Sequence, residues 1–197
     1  MEIVKHAIEK ATGAGRPGSG DLPALLRRRN PHLFRLKDDG ETPNNPKWPL
    51  VLYRSPVLLR EEFDPAAVFE VLFATNGWTE SWRDGIYDFL HFHTHTHEVL
   101  GLARGSARVE FGGAAGSAIS LKAGDVVVLP AGTGHRRLSA SEDLLVVGAY
   151  PAHAGEYDQP RPSEVDHAQA ARQIAKVKPP GTDPVFGKDG PLIDVWC

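Results

Sequence analysis

His91-Phe92-His93-Thr94-His95-Thr96-His97-Glu98 places four of the chain's nine histidines within seven residues and closes the run with a carboxylate. Imidazole and carboxylate are ligands for zinc, iron, nickel, copper and manganese, so the stretch raises a metal site before anything else. On an extended strand, residues two apart share a face, and all four histidines can then form one stripe with Glu98 pointing away. The other arrangement keeps His91 and His93 on one face and brings Glu98 round to join them. That requires the chain to turn in between, and Thr94-His95-Thr96 supplies polar residues for the turn, although no glycine. His95 and His97 are then exposed or hydrogen-bonding residues near the turn.

Around this stretch, from Tyr87 to Tyr150, short apolar runs alternate with glycine breakers. The runs are 87–93, 97–103, 107–111, 118–121, 126–129, 135–138 and 144–150, which predict strands of an antiparallel sandwich or barrel. No helical period interrupts them, which argues against an α/β fold. Pro130 and Gly132 bend the chain ahead of His135. By strand parity Tyr87 and Phe89 line a cavity below His91, Leu100 and Leu102 do so after Glu98, and Arg137 faces the interior with His135, where it suits a substrate anion.

Outside this window the punctuation differs. Asp64-Pro65 opens a helix over about 64–75, with Val68, Leu72, Phe69 and Phe73 at helical spacing and Asn76-Gly77 as its stop. Residues 51–59 read as a strand that Pro56 confines to a sheet edge or bends. Trp78 and Trp82 precede the strand region as packing residues. Residues 2–11 and 24–29 read as helices, the second capped by Asp21 and Pro23, and the Asp38–Pro46 region is dense in turn formers. The last 47 residues hold seven of the sixteen prolines, with a helix-compatible stretch over 164–174 and apolar anchors at Val185, Phe186 and Leu192 to Trp196. The organisation expected is an N-terminal helical appendage and loop over 1–45, a β-barrel over 46–152 with one inserted helix, and a wrapping proline-rich tail over 153–197.

With a net charge of −3 and one isolated basic triplet, Arg27-Arg28-Arg29, the chain has no electrostatic footprint for nucleic acid. Its one cysteine, Cys197, excludes an intrachain disulfide. No apolar run reaches the roughly 20 residues of a membrane span, and the N-terminus lacks the apolar core of a secretory leader, so a soluble cytoplasmic protein is expected. His6, His32, His153 and His167 lie in polar or loop contexts and read as structural or solvated.

Two spaced segments carry a resemblance. The first runs Gly85, five residues, His91-Phe92-His93, four residues, Glu98, six residues, Gly105; the second runs Gly124, five residues, Pro130-Ala131-Gly132, two residues, His135. They resemble the two motifs of the cupin superfamily, with Ser139 where an asparagine often closes the second. The resemblance implies an all-β double-stranded β-helix, or jelly-roll barrel. It also implies one divalent metal held by His91, His93, Glu98 and His135, with iron, manganese, nickel and zinc all compatible with the set. Asn76-Gly77-Trp78, His97-Glu98-Val99-Leu100-Gly101, Gly148-Ala149-Tyr150-Pro151 and Asp183-Pro184-Val185-Phe186-Gly187 are similar to the YjlB-like bacterial cupins, from about Phe34 onward. Within that pattern His97 stands as a pocket residue and His95 does not stand out.

Three histidines and a carboxylate leave coordination positions open, which suits Lewis-acid chemistry or oxygen activation. The expectation is a metal-dependent enzyme, dioxygenase- or isomerase-like, on a small polar organic substrate. The alternative is a non-enzymatic module that binds a carboxylate or sugar-like ligand. His97 and Tyr87 are the candidate catalytic groups, and cupins are commonly dimers, so a homodimer is expected.

Overall fold

The computed structural model describes residues 15–152 and 157–197. The helix expected over 2–11, His6 and His153 lie outside the described residues.

Among the described residues nine strands form in the order β1 (His32–Phe34), β2 (Leu50–Tyr53), β3 (Trp78–Asp84), β4 (Glu98–Arg104), β5 (Ser106–Phe111), β6 (Ser117–Lys122), β7 (Val126–Leu129), β8 (His135–Ala140) and β9 (Leu145–Pro151). They make a six-stranded antiparallel sheet, β1-β2-β7-β4-β9-β3, and a three-stranded one, β6-β5-β8. The two face each other as a jelly-roll sandwich. No strand ladder joins their edges among the described residues, so the expected barrel is open rather than closed.

The sequence pattern explains which sheet is which. Strands covered on both faces read as continuous apolar runs, whereas strands with one wet face alternate. β2 and β7 are buried throughout, while β5 and β6 alternate. Parity divides the large sheet's side chains between two cores. Leu50, Leu52, Leu100, Leu102, Val127 and Leu129 point between the sheets, where they meet Val109, Phe111 and Leu121. Val51, Tyr53, Val99, Val126 and Val128 point outward.

The outer core needs a cover, and helices and tail provide it. Of the four α-helices among the described residues, α1 (Leu22–Leu25), α2 (Pro65–Thr75), α3 (His167–Ile174) and α4 (Pro191–Val195), α2 follows the sequence expectation closely. The Asp64 side chain accepts from the Ala66 N–H, and Phe69, Leu72 and Phe73 are buried against the sheet. Phe69 lies so close to β4 that a Cβ at Gly101 would sit 2.4 Å from its ring. Val185, Leu192 and Trp196 of the tail enter the same outer core. Asp183, fully buried, accepts from the Tyr53 hydroxyl at 2.5 Å and from the N–H groups of Val185, Phe186 and Leu192.

Four local expectations change. Residues 85–97 are irregular rather than a strand over 87–93, because they meet β8 only at isolated points, His91 with His135 and the Tyr87 carbonyl with the Arg137 N–H, while Phe92 and His93 bond to loop residues. Trp78 and Trp82 lie instead in β3, with Trp78 in the outer core. β2 stops at Tyr53, before Pro56, and is interior, since β1 covers its far side. α1 spans four residues, and the Asp21 carboxylate takes the Gly18 N–H rather than capping it.

Candidate metal centre

The two motif segments meet through their backbones. His91 and His135 exchange N–H···O bonds of 3.3 and 2.9 Å, and the Gly132 N–H donates to the His93 carbonyl at 2.7 Å. This sets the three imidazoles side by side, with one ligand atom from each of His91, His93 and His135 within 4.8 Å of the others. All three are buried.

Their tautomers are set the same way. Each Nδ1–H has a backbone carbonyl to donate to: Phe89 at 3.2 Å for His91, Asp158 for His93 and Thr133 at 3.0 Å for His135. That leaves each Nε2 as a lone pair, the form that binds metal, with the outer partner fixing the ring as ligating histidines require.

Glu98 joins them. The chain bends at Thr94 and His95, and β4 begins with Glu98 on the inner face, in register with Leu100 and Leu102. Its Oε2 lies 3.3 Å from His93 Nε2 and 3.5 Å from His135 Nε2. His93 Nε2 and Glu98 Oε2 are nonetheless buried without a hydrogen-bond partner. Burial favours neutral forms here, and it drives His135 down to about 3 and lowers His91. For His93 burial acts in the same direction, but the Glu98 carboxylate outweighs it and the pKa is raised. Burial would raise Glu98, yet His93 beside it holds the carboxyl below its ordinary value. Orphaned buried lone pairs of this kind cost free energy unless a further group satisfies them, and a divalent cation among three Nε2 atoms and a carboxylate does so. The donor set fits a metal.

A cavity of about 190 Å³ opens onto the cluster, walled by Trp82, Tyr87, Leu100, Tyr150, Tyr157 and Gln159. Tyr87 and Leu100 are where strand parity placed them. Phe89 does not line the cavity: it stacks on Tyr87 at 4.7 Å and carries the Arg161 guanidinium 4.3 Å over its face. Leu102 lies deeper, in the inner core. Arg137 shares a side of β8 with His135, and its guanidinium ends beside Gly85, a residue of the cavity wall, without lining the cavity itself.

His97 is not brought to the cluster. At the parity of Val99 it faces the outer core, edge-on to Trp48 and 4.8 Å from Trp196. Its Nδ1 accepts the Ala131 N–H and its Nε2–H donates to the Lys178 carbonyl, both at 2.9 Å, so both nitrogens are in use. Burial lowers its pKa to about 4 and keeps the ring neutral. A four-histidine stripe therefore does not form. His95 is largely exposed beside Thr94 and Asp158.

Sequence reading missed Tyr150, Trp82, Tyr157, Gln159 and Asp158. Tyr150 was legible by parity on β9, since Trp82 opposes Gly148 and its Nε1–H reaches the Tyr150 hydroxyl at 3.1 Å. The tail residues 157–159 carry no local signal for their position. A larger open groove of about 930 Å³ lies along His95, His97 and Lys176 to Thr182, but three ligand-type side chains do not converge there among the described residues.

Two facing antiparallel sheets with this cluster held between them define a cupin. Over 168 residues, 85% of this chain and 98% of the relative, the sequence is 38% identical to the uncharacterized protein YjlB of Bacillus subtilis (strain 168). The chain belongs to the YjlB-like family of cupins. No protein-family model matches it. Similar solved structures include an acireductone dioxygenase from Bacillus anthracis with a cadmium ion in its active centre, at 16% identity and TM-score 0.33 over 44% of this chain and 58% of that one. An oxalate decarboxylase of Bacillus subtilis matches at 18% identity and TM-score 0.34, over 58% of this chain and 28% of that one. The chain thus spans less than two thirds of either protein. Among the described residues no helix is long and apolar enough to cross a membrane.

Proposed function

We propose that the protein is a metal-dependent enzyme, dioxygenase- or isomerase-like, acting on a small polar organic molecule. The observation that carries the reading is the set of three clustered, buried imidazoles, each with Nδ1–H given to a backbone carbonyl, and a partnerless Glu98 oxygen 3.3 and 3.5 Å from the Nε2 atoms of His93 and His135. His91, His93, His135 and Glu98 would hold one divalent transition metal, which supplies Lewis acidity or, if redox-active, oxygen activation. Iron, manganese, nickel and zinc all suit this donor set.

The chain's own groups set what is bound. At roughly 30 Å³ per water, a cavity of about 190 Å³ holds some six waters' worth of ligand, so the substrate is smaller than a drug-sized molecule. Phenols and an amide at the cavity wall select hydrogen-bonding groups. The Tyr150 hydroxyl, its pKa raised by burial and by the Glu98 charge, holds its proton and acts as a donor rather than a base. That same observation favours the second reading, in which the metal captures a carboxylate or sugar-like ligand without turnover.

Elemental analysis of the purified protein comes first, followed by oxygen consumption of the iron-loaded form across acids, diketones and sugars. Turnover supports the enzyme. Saturable binding without turnover under any metal supports the binding module and overturns the enzyme. A cytoplasmic homodimer is also proposed. With β2 interior, pairing falls to the edge strand β1, and sedimentation as a monomer at working concentration removes the dimer.

A further inference from the structure

The tail segment Tyr157 to Arg161 crosses directly over the first motif. The Phe92 N–H donates to the Pro160 carbonyl at 3.2 Å, Tyr157 stacks on Tyr150 at 5.0 Å, and Arg161 covers Phe89. At its centre, the Asp158 carbonyl takes the His93 Nδ1–H, while the Asp158 carboxylate holds the residue following His93. Its Oδ1 accepts the Thr94 N–H at 2.8 Å and its Oδ2 accepts the Thr94 hydroxyl at 2.7 Å. His95 closes the network, its Nδ1 being 2.7 Å from the Thr94 Oγ and 3.4 Å from Asp158 Oδ1. The partners of His91 and His135, Phe89 and Thr133, are two residues away in sequence, so those tautomers are set locally. His93 alone depends on a carbonyl from 65 residues downstream.

We propose that Asp158 is a positioning residue for the metal centre: its carboxylate, clamped on Thr94, fixes its own carbonyl over His93 Nδ1 and so holds His93 Nε2 towards the site. The inference rests on the reading of His93 as a metal ligand. In this arrangement the tail is a working wall of the metal centre, and Thr94 and His95 belong to the clamp. Thr94 serves as the hinge of both, donating to Asp158 through its hydroxyl and its backbone and accepting from His95. Removing the carboxylate leaves the carbonyl in the chain but frees it to move, and outer partners of metal-bound histidines are worth about 10–100-fold in metal affinity.

The test uses the full chain in wild-type, Asp158→Ala, Thr94→Val and Thr94→Ser forms, with two readouts. Cobalt(II) titration followed by its visible absorption gives affinity and site symmetry. Long-range 1H–15N spectra of the metal-free protein give the His93 tautomer directly. The expected result is a pure Nδ1–H tautomer at His93 in the wild type and a mixture in Asp158→Ala. Cobalt affinity is expected to fall about 10–100-fold with an altered spectrum, with a smaller fall in Thr94→Val and recovery in Thr94→Ser. Wild-type tautomer and affinity in Asp158→Ala overturn the clamp. If cobalt binds nowhere near His93 while the tautomer still depends on Asp158, the clamp stands and the metal reading falls.

Discussion

The two ends of the 91–98 run show how one side chain's surroundings divide a row of identical residues into different jobs. His91 and His93 keep Nε2 unpartnered and inward, whereas His97 has both nitrogens bonded and two indoles against its ring. His97→Ala is therefore expected to cost about 1–3 kcal/mol for the orphaned Ala131 N–H alone, read as a lowered melting temperature with metal content intact. Glu98→Gln should do the reverse, lowering the metal retained after dialysis with little change in melting temperature of the metal-free protein. Loss of metal in His97→Ala with retention in Glu98→Gln would show that the carboxylate is not a ligand. A second prediction concerns Glu70, whose carboxylate takes two bonds from Arg83 and one from Arg16. Burial alone would raise its pKa, but the two guanidiniums hold it below 4.5. In acid the unfolded chain then takes up the proton more readily than the folded one, so this contribution is full above pH 4.5 and declines as pH falls below it. Glu70→Gln should flatten that part of a stability–pH curve, and an unchanged acid slope would mean that the ion pairs are idle.

At the scale of elements, the approach of α2 to β4 fixes how the large sheet is covered. Gly101 is the contact point, and a methyl there meets the Phe69 ring at 2.4 Å. Gly101→Ala is expected to cost about 1–3 kcal/mol by overpacking, and Phe69→Ala about 3–5 kcal/mol by leaving a void, both by urea denaturation. Because the two residues touch, the double variant Gly101→Ala/Phe69→Leu should be more stable than the sum of the single effects; strict additivity would show that α2 can shift to relieve the clash. β4 matters beyond packing. It carries Glu98 inward and Val99 outward on adjacent residues, so any movement of α2 that slides β4 also moves the carboxylate.

Over the whole molecule, the tail ties both cores to one framework. Asp183 is buried with four donors around it, Trp196 stacks on Trp48 and lies near His97, and Tyr157 with Gln159 walls the cavity. Tyr53→Phe leaves an Asp183 oxygen with one donor fewer and is expected to cost about 1–3 kcal/mol, which at this chain length lowers the melting temperature by roughly 2–4 °C per kcal/mol. Asp183→Ala should cost more, since it strands the Val185, Phe186 and Leu192 N–H groups together. An Asp183→Ala protein as stable as wild type would mean that the tail is held by its apolar anchors alone.

Strand periodicity, the glycine punctuation and the cap at Asp64 are local signals, and they were enough to predict seven strand runs, the inserted helix and an all-β sandwich, because backbone preference and one-face burial act over a few residues. Six of those runs became strands. The seventh, over 87–93, did not, since it meets β8 only at Tyr87 and His91 and bonds to loops at Phe92 and His93, and such interrupted pairing leaves no period. The motif spacing also brought His91, His93, Glu98 and His135 to one list. Which side of β4 was the inside could not be read from parity alone, because parity separates Glu98 from His97 without saying which core each one meets. Only the packed sheets, with α2 and Trp196 covering the outer face, sent Glu98 to the cluster and His97 to the indoles. The tail is the extreme case: the contact between Asp158 and His93 spans 65 residues, and an interaction of that separation is set by the assembled fold, not by any pattern near either residue.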